Sequence, residues 1–264
     1  MELNRIFKAD CLDFCKTLGG ESVSIILTSP PYNKSRSSSY SEQSLATMQG
    51  YYKDFDDNKT NEEYIAWTIE RFVEFERILK DDGVIAYNMS YATDENKMSE
   101  LMWLVVAEIF KKTNLTLADC IVWKKRSATP NNVSPNKLTR ICEFIYIFCK
   151  RKSFDTFYAN KQVLSISGKG QKIYENQYNI INADNNDGPC DIHKATYSTS
   201  MCFKVLSLYG RKGGVVYDPF MGTGTTAMAA IEYGMDYIGT EISQEYVDYA
   251  NKRISQRLAE PTLF

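Results

Sequence analysis

Two acidic residues stand 23 positions apart near the C-terminus, Asp218 in VVYDPFMGTGTT and Glu241 in MDYIGTE. Each closes a short apolar run, and Gly222 and Gly224 lie in a turn opening an alanine-rich segment. Glycines at such a turn let the backbone adopt positive φ and approach a ligand closely. Ligands of open α/β sheets settle beyond the carboxyl ends of the strands, where an acidic residue one strand later suits a pair of ribose hydroxyls. The turn lacks the lysine of a GxxxxGK[ST] loop and does not match GxGxxG, so a triphosphate and a dinucleotide are both poorly supported. A nucleoside without a pyrophosphate fits the pattern. The alternative for Glu241 is a charge at the start of the last helix, beside its expected N-cap Ser243.

A second stretch with chemical content is SIILTSPPYN, residues 24–33. Ile25, Ile26 and Leu27 read as a buried strand that ends in two residues lacking a backbone donor, followed by an aromatic. Read alone, Pro-Pro supplies a rigid turn, because each ring fixes φ.

The elements that must position these residues follow from periodicity and punctuation. NRIFKAD reads as a strand and CLDFCKTL as a helix closed by Gly19-Gly20. Thr60 to Glu63 forms a capping box, opening a helix with Ile65, Ile69, Phe72 and Leu79 on one face and stopping at KDDG. VIAYNMS is the next strand, a helix around SELMWLVVAEIFKKT follows, and then the strands LADCIVW and RICEFIYIFCK. From Tyr197 a helix (SMCFKVLSLYG), a strand (GVVYDP), a helix (AMAAIEYG), a strand (MDYIGTE) and a last helix complete the chain. Strands alternating with helices imply an α/β fold, a mostly parallel sheet covered by helices on both faces. Residues 34–59 are serine-rich and aperiodic, which predicts a mobile functional loop. Residues 150–192 are polar, basic and rich in Asn.

Hydrophobic content of 44% and charged content of 24% across 264 residues suit one large globular domain with a small insert. No run reaches the ~18 apolar residues of a membrane span, and the N-terminus shows no signal pattern, so a cytoplasmic protein is expected. Seven cysteines without a C-x-x-C pair, and a single histidine, His193, make a zinc site unexpected. The net charge of −2 hides an asymmetry, since eleven Lys or Arg fall between Ile121 and Lys172 against only Glu143 and Asp155. Such a stretch is either a solvated face or a surface for a polyanion. Trp123, Tyr158 and Tyr174 lie among these charges as core residues or base-stacking platforms.

TSPPYN together with DPFMGTGTT resembles the two hallmark motifs of S-adenosylmethionine-dependent DNA amino-methyltransferases. Their order, Pro-Pro-Tyr first and glycine motif near the C-terminus, is similar to that family's beta group. IVWKK, LTRICEFIYIFCK and HKATYSTSMC resemble further segments of the same arrangement, so the likeness spans nearly the whole chain. It implies a Rossmann-like class I methyltransferase fold, with residues 1–150 and 191–264 as the catalytic and cofactor-binding domain, 151–190 as a small target-recognition insert and 34–59 as a mobile loop near the active site. Asp218, Phe220, Gly222, Gly224 and Thr225 would line the methionine part of the cofactor, Glu241 would hold the ribose, and Asp10 and Cys11 would lie near the adenine. HKAT, residues 193–196, stands where the family has a His-Pro-Ala segment, with Lys194 in place of the proline. The implied partner is double-stranded DNA, gripped by Lys124, Lys125, Arg126, Lys137, Lys150, Arg151 and Lys152. A homodimer and a cognate restriction endonuclease are further expectations from the family.

In that setting the Ser-Pro-Pro-Tyr turn has a chemical reading. The exocyclic amine of cytosine or adenine is a poor nucleophile because its lone pair is delocalised into the ring. Ser29 Oγ and the Pro30 carbonyl would each accept one of its hydrogens, Pro31 would keep that carbonyl rigid, and Tyr32 would stack on a base rotated out of the duplex. No metal is needed. The Leu-Thr-Ser-Pro-Pro-Tyr form resembles cytosine-N4 enzymes, while Asp-Pro-Pro-Tyr is commoner among adenine-N6 enzymes, so N4 is expected and N6 is the alternative. Carbon-5 methylation through Pro189-Cys190 is disfavoured, because the pair lies in an Asn/Asp-rich loop far along the chain from the Pro-Pro-Tyr strand. An RNA or protein methyltransferase would lack the permuted order, and a nucleic-acid-binding module without catalysis would need neither the glycine turn nor Glu241.

Overall fold

The computed structural model describes residues 2–33, 59–90, 93–94, 97–98, 100–128, 130–132, 134–188, 192 and 197–259. The expected loop at 34–59 lies outside these residues apart from Lys59, as do the Pro189-Cys190 pair and the HKAT segment.

In chain order the strands are β1 (Arg5–Lys8), β2 (Val23–Thr28), β3 (Leu79–Met89), β4 (Thr93–Asp94), β5 (Lys97–Met98), β6 (Leu115–Lys125), β7 (Cys142–Lys150), β8 (Val163–Ile166), β9 (Lys172–Tyr174), β10 (Ile180–Ala183), β11 (Val215–Asp218) and β12 (Asp236–Glu241). The helices are α1 (Cys11–Thr17), α2 (Asn61–Ile78), α3 (Leu101–Lys112), α4 (Thr199–Tyr209), α5 (Thr225–Tyr233) and α6 (Gln244–Ala259). Eight strands form one sheet in the order β1-β12-β11-β2-β3-β7-β6-β10, and β4-β5 and β8-β9 form two small antiparallel pairs. Neighbours from β1 through to β3 are parallel, while β7 runs antiparallel to both β3 and β6.

The apolar runs read in the sequence are continuous because both faces of the sheet are buried. Ile26, Ile85, Tyr87 and Phe148 pack under α1, α2 and α3 with Phe72, Phe75, Val105 and Ile109. Ile25, Leu27, Ala86 and Ile147 face α4, α5 and α6 with Val205, Leu206, Ala230 and Ala250. Period-2 alternation thus serves two cores at once.

The capping box is present: Glu63 N donates to Thr60 Oγ1 at 3.1 Å, and Thr60 N donates to Glu63 Oε2 at 2.7 Å. The register of α2 differs from the expected one. Its buried residues are Tyr64, Thr68, Arg71, Phe72, Phe75 and Ile78, with Ile65 and Ile69 at the margin. The helix also ends earlier, because Leu79 turns extended and pairs with Val23, so β3 begins before KDDG and passes through a bulge to Val84. Within the expected insert, β8 and β9 form an exposed hairpin, whereas β10 joins the edge of the main sheet beside β6. Residues 180–183 are therefore part of the α/β sheet.

β2 and β11 lie side by side at the centre of the sheet. From β11 the chain continues through α5 to β12 on one side, and from β2 through α2 to β3 on the other. That divergence opens a crevice above their carboxyl ends, the topological switch point of a doubly wound sheet.

Candidate active site

Asp218 ends β11 and is buried at 1% exposure. Its Oδ1 accepts from Thr28 Oγ1 at 2.7 Å and from Phe220 N at 3.0 Å. Its Oδ2 accepts from Tyr197 Oη at 2.8 Å and from Thr226 Oγ1 at 2.5 Å. Burial pushes its carboxyl above the ordinary carboxylate range, and these donors oppose that push. The Thr28 bond crosses the switch point and ties the last residue of β2 to the head of the glycine loop. Ser29 follows Thr28 directly, so the two motifs of the sequence meet here, 190 positions apart in the chain.

The loop after Asp218 is shaped for close approach. Gly222 has φ of 51° and Gly224, which caps α5, has φ of 85°. A Cβ on Gly224 would sit 3.0 Å from the Ala250 methyl, so both backbone angle and space require glycine. Glu241 closes the loop: its Oε2 accepts from Gly222 N at 2.9 Å and its Oε1 from Ser243 N at 3.0 Å. Burial raises its pKa against those amides. Ser243 is thus a partner of Glu241, and the position of the acid at the end of β12 is the one its spacing from Asp218 suggested. Thr225 Oγ1 accepts from Arg253 at 3.2 Å.

Beside Glu241, beyond the end of β1, Asp10 caps α1, its Oδ1 accepting from Leu12 N at 2.8 Å and Asp13 N at 3.2 Å. Its Oδ2 pairs with Arg71 Nη2 at 3.2 Å. Cys11 is buried beside it, and desolvation pushes its thiol up to about 12, so it stands there as a small apolar group and not a thiolate.

The Pro-Pro-Tyr turn is held from two sides. Tyr64 Oη donates to the Pro31 carbonyl at 2.7 Å, leaving that of Pro30 on a different peptide. Tyr32 is buried, its hydroxyl 2.8 Å from Ser29 Oγ and 2.8 Å from Asn88 Oδ1. Trp67 joins α2 to the glycine loop: its ring is 5.6 Å from Tyr64 on the same helix and 5.5 Å from Phe220, with the Arg71 guanidinium 4.0 Å above it. Sequence reasoning passed over Tyr64, Trp67 and Arg71, although their i, i+3, i+7 spacing marks one helical face. Thr28 and Tyr197 lie inside the TSPPYN and HKATYSTSMC segments, but the sequence alone assigns neither of them a role.

The basic residues divide. Register places Lys124, opposite Cys142, and Met89, opposite Phe144, at the crevice end of the sheet, with Lys125, Arg126 and Lys137 on the same connection. Lys125 is engaged by Glu143 at 2.5 Å, and Arg126 by Asp184 at 3.1 Å. Lys150, Arg151 and Lys152 lie at the opposite end, since β7 runs away from the crevice for about 20 Å between Phe144 and Lys150. There Lys152 and Lys150 bond Asp81 at 2.7 and 2.9 Å and hold its carboxyl below the usual range. The structure does not bring these three to the site. Trp123 is a core residue at 1% exposure, and Tyr158 stacks under Arg211 at 4.3 Å. Tyr174 is exposed on β9.

No group of three or more His, Cys, Asp or Glu among the described residues could hold a metal ion. No helix among them is long and apolar enough to cross a membrane. The glycine loop carries no Lys or Arg in residues 219–224, and Glu241 beside it would repel phosphates. A cradle with two acids, Asp218 and Glu241, and no cation in its loop fits the nucleoside and amino-acid halves of S-adenosylmethionine.

Comparison with known proteins gives the same assignment. The type II methyltransferase M.HinfI of Haemophilus influenzae is 25% identical over 269 residues, covering 98% of this chain and 70% of its own. The structure of the PvuII DNA methyltransferase, described as cytosine-N4-specific, superposes with a TM-score of 0.72 at 16% identity, covering 98% of this chain and 87% of the other. A complex of M1.HpyAVI with S-adenosylmethionine gives 0.59 at 19% identity, over 94% and 98%. A family model described as DNA methylase, spanning N6 and N4 methyltransferases, matches residues 23–252. The chain with its Ser-Pro-Pro-Tyr turn beside the Asp218 loop belongs to the DNA methylase family of S-adenosylmethionine-dependent N6/N4 amino-methyltransferases.

Proposed function

We propose that the protein methylates the N4 amine of cytosine in double-stranded DNA. The observation that supports this reading is the Thr28–Asp218 bond, which joins the residue preceding Ser29 to the head of the loop proposed to hold the cofactor. S-adenosylmethionine, when bound, supplies an activated methyl group on a sulfonium, so neither a metal nor a covalent enzyme intermediate is required. Glu241 would hold the ribose, Phe220, Gly222, Gly224 and Thr225 would line the methionine part, and Asp218 would keep the loop in place through its four donors.

Ser29 Oγ and the Pro30 carbonyl accept the two amine hydrogens and draw them out of the plane of the ring, which turns the nitrogen lone pair towards the methyl group. Proline on either side of that carbonyl fixes its direction before substrate arrives, a preorganised electrostatic contribution in place of acid–base catalysis. The ring of Tyr32 stacks on the extruded base and offsets part of the few kcal/mol of unstacking. Lys124 and Arg126 approach the phosphates beside the crevice. The β8–β9 hairpin, with exposed Leu164, Ile166 and Tyr174 and with Lys169 at its turn, is the element proposed to read the target.

Serine at the head of the Pro-Pro-Tyr motif favours cytosine, because the family's adenine-N6 enzymes more commonly carry aspartate there. The test is transfer from labelled S-adenosylmethionine to duplex DNA and to RNA, followed by nucleoside mass spectrometry. N4-methylcytosine in DNA is the expected product. N6-methyladenine alone would overturn the choice of base, and labelling of RNA alone would overturn the choice of substrate. Cys190→Ser should leave transfer intact.

A further inference from the structure

Two side chains outside the two motifs, Asn88 and Glu143, converge on the Tyr32 hydroxyl, and their hydrogen-bonding capacities fix its direction. Asn88, buried at the end of β3, donates its Nδ2 to the Phe144 carbonyl at 3.1 Å, which orients Oδ1 towards Tyr32 Oη at 2.8 Å. Glu143 Oε2 lies 3.4 Å from the same hydroxyl, while its Oε1 accepts from Lys125 Nζ at 2.5 Å. Lys125 is itself braced over the Trp123 ring at 4.9 Å. An amide oxygen and a paired carboxylate are acceptors only. The single proton of Tyr32 is therefore committed to them, and the Tyr32 oxygen has only a lone pair to offer Ser29.

The consequence passes to Ser29. At 2.8 Å from Tyr32 Oη, its hydroxyl must be the donor, and its proton is spent on that bond. What Ser29 Oγ presents to the crevice is lone pairs alone. A serine without this network could rotate its proton towards whatever faces it and would greet a donor or an acceptor equally.

We propose that Asn88, backed by the Lys125–Glu143 pair, acts through Tyr32 to make Ser29 an obligate hydrogen-bond acceptor, so that the site selects a base bearing an exocyclic amine and rejects one bearing a carbonyl oxygen at the same place. The inference rests on the reading under Proposed function, that Ser29 meets the target amine. Asn88, Glu143 and Lys125 are positioning residues in this scheme. An amine meets a lone pair, whereas the O4 of uracil or thymine meets another acceptor with no proton between them. Sites built around one defined hydrogen bond discriminate strongly against analogues that cannot complete it.

The test uses the full chain and a duplex containing the methylation site, mapped by sequencing DNA methylated in vitro, with cytosine or uracil at the target position. For an adenine target the pair is adenine and hypoxanthine. Wild type should bind the amine duplex at least about 10-fold more tightly than the carbonyl duplex. Tyr32→Phe keeps the ring but frees the Ser29 proton, and should bring that preference to within about threefold. It should also lower kcat about 10- to 100-fold, with KM for DNA and Kd for the cofactor within about twofold. Asn88→Leu should move the same quantities in the same direction by less, since Glu143 remains as an acceptor. Ser29→Ala with Tyr32→Phe should be no slower than Ser29→Ala alone. An undiminished preference in Tyr32→Phe, or strictly additive losses in the double variant, would overturn the inference while the methyltransferase reading stood. Failure of the wild type to methylate either base would remove both.

Discussion

Glu241 and Asp218 are carboxylates that the fold buries before any ligand arrives, and that burial pushes both above the ordinary carboxylate range. Burial raises Glu241 above its ordinary value of 4.5 in spite of the amides of Ser243 and Gly222. A carboxyl whose folded pKa is raised stabilises the fold most when protonated, below the unfolded value, and that contribution is lost as pH climbs through the folded pKa. Glu241→Gln mimics the protonated form at every pH. Relative to the wild type, its melting temperature should therefore rise as pH goes from about 4 to about 7, while cofactor affinity should fall because the acceptors proposed for the ribose are halved. Thermal melts across that range, paired with titrations of S-adenosylmethionine, measure both. A difference in melting temperature that stays constant with pH would mean that the amides fully offset the burial. Asp218 shares the direction of shift but has four donors on the chain itself, so its substitution would confound titration with the loss of those bonds.

At the scale of elements, α2 is the piece whose importance the sequence understated. Its existence and its start were legible, because Thr60 and Glu63 carry a physical mechanism in their spacing. Its facing was not, because Ile65 and Ile69 drew the apolar stripe away from Tyr64, Trp67 and Arg71, which reach partners distant in sequence. Tyr64 finds the Pro31 carbonyl and Arg71 finds Asp10, contacts no local pattern encodes. The β2 and β11 motifs were legible for the opposite reason: Pro-Pro and Gly-x-Gly restrict the backbone locally, so their letters report their geometry. α2 thus acts as a clasp joining the Pro-Pro-Tyr turn, the Phe220 ring and the α1 cap. Tyr64→Phe removes the bond to Pro31 while keeping the stack on Trp67. It should cost about 1–2 kcal/mol in chemical denaturation. Because the loosened turn carries the Pro30 carbonyl, kcat should fall further than Kd for the cofactor rises. Equal changes in both would reduce the clasp to a structural role.

For the molecule as a whole, the question is where a polyanion meets a chain of net charge −2. The basic stretch looked like one surface when read along the sequence, but β6 and β7 form an antiparallel pair, and folding sends its two ends in opposite directions. Lys124, at the end of β6, and Arg126, just beyond it, lie at the crevice, whereas Lys150, at the end of β7, and Arg151 and Lys152, just beyond it, lie at the opposite end of the strands, where Asp81 engages two of them. Strand direction within a mixed sheet is set by pairing between distant segments, and nothing in the composition of 121–172 could reveal it. Each lysine or arginine that contacts a phosphate contributes roughly one counterion to the salt dependence of duplex binding. Lys124→Ala and Arg126→Ala should therefore each reduce the slope of log K against log salt by about 1, for cognate and unrelated duplexes alike. Lys152→Ala should leave that slope unchanged, since it removes only a solvent-exposed ion pair with Asp81. Fluorescence anisotropy of a labelled duplex over a series of salt concentrations decides the matter. A slope that drops for Lys152→Ala but not for Lys124→Ala would put the DNA on the opposite edge of the sheet, too far from Ser29 for the target amine to reach it.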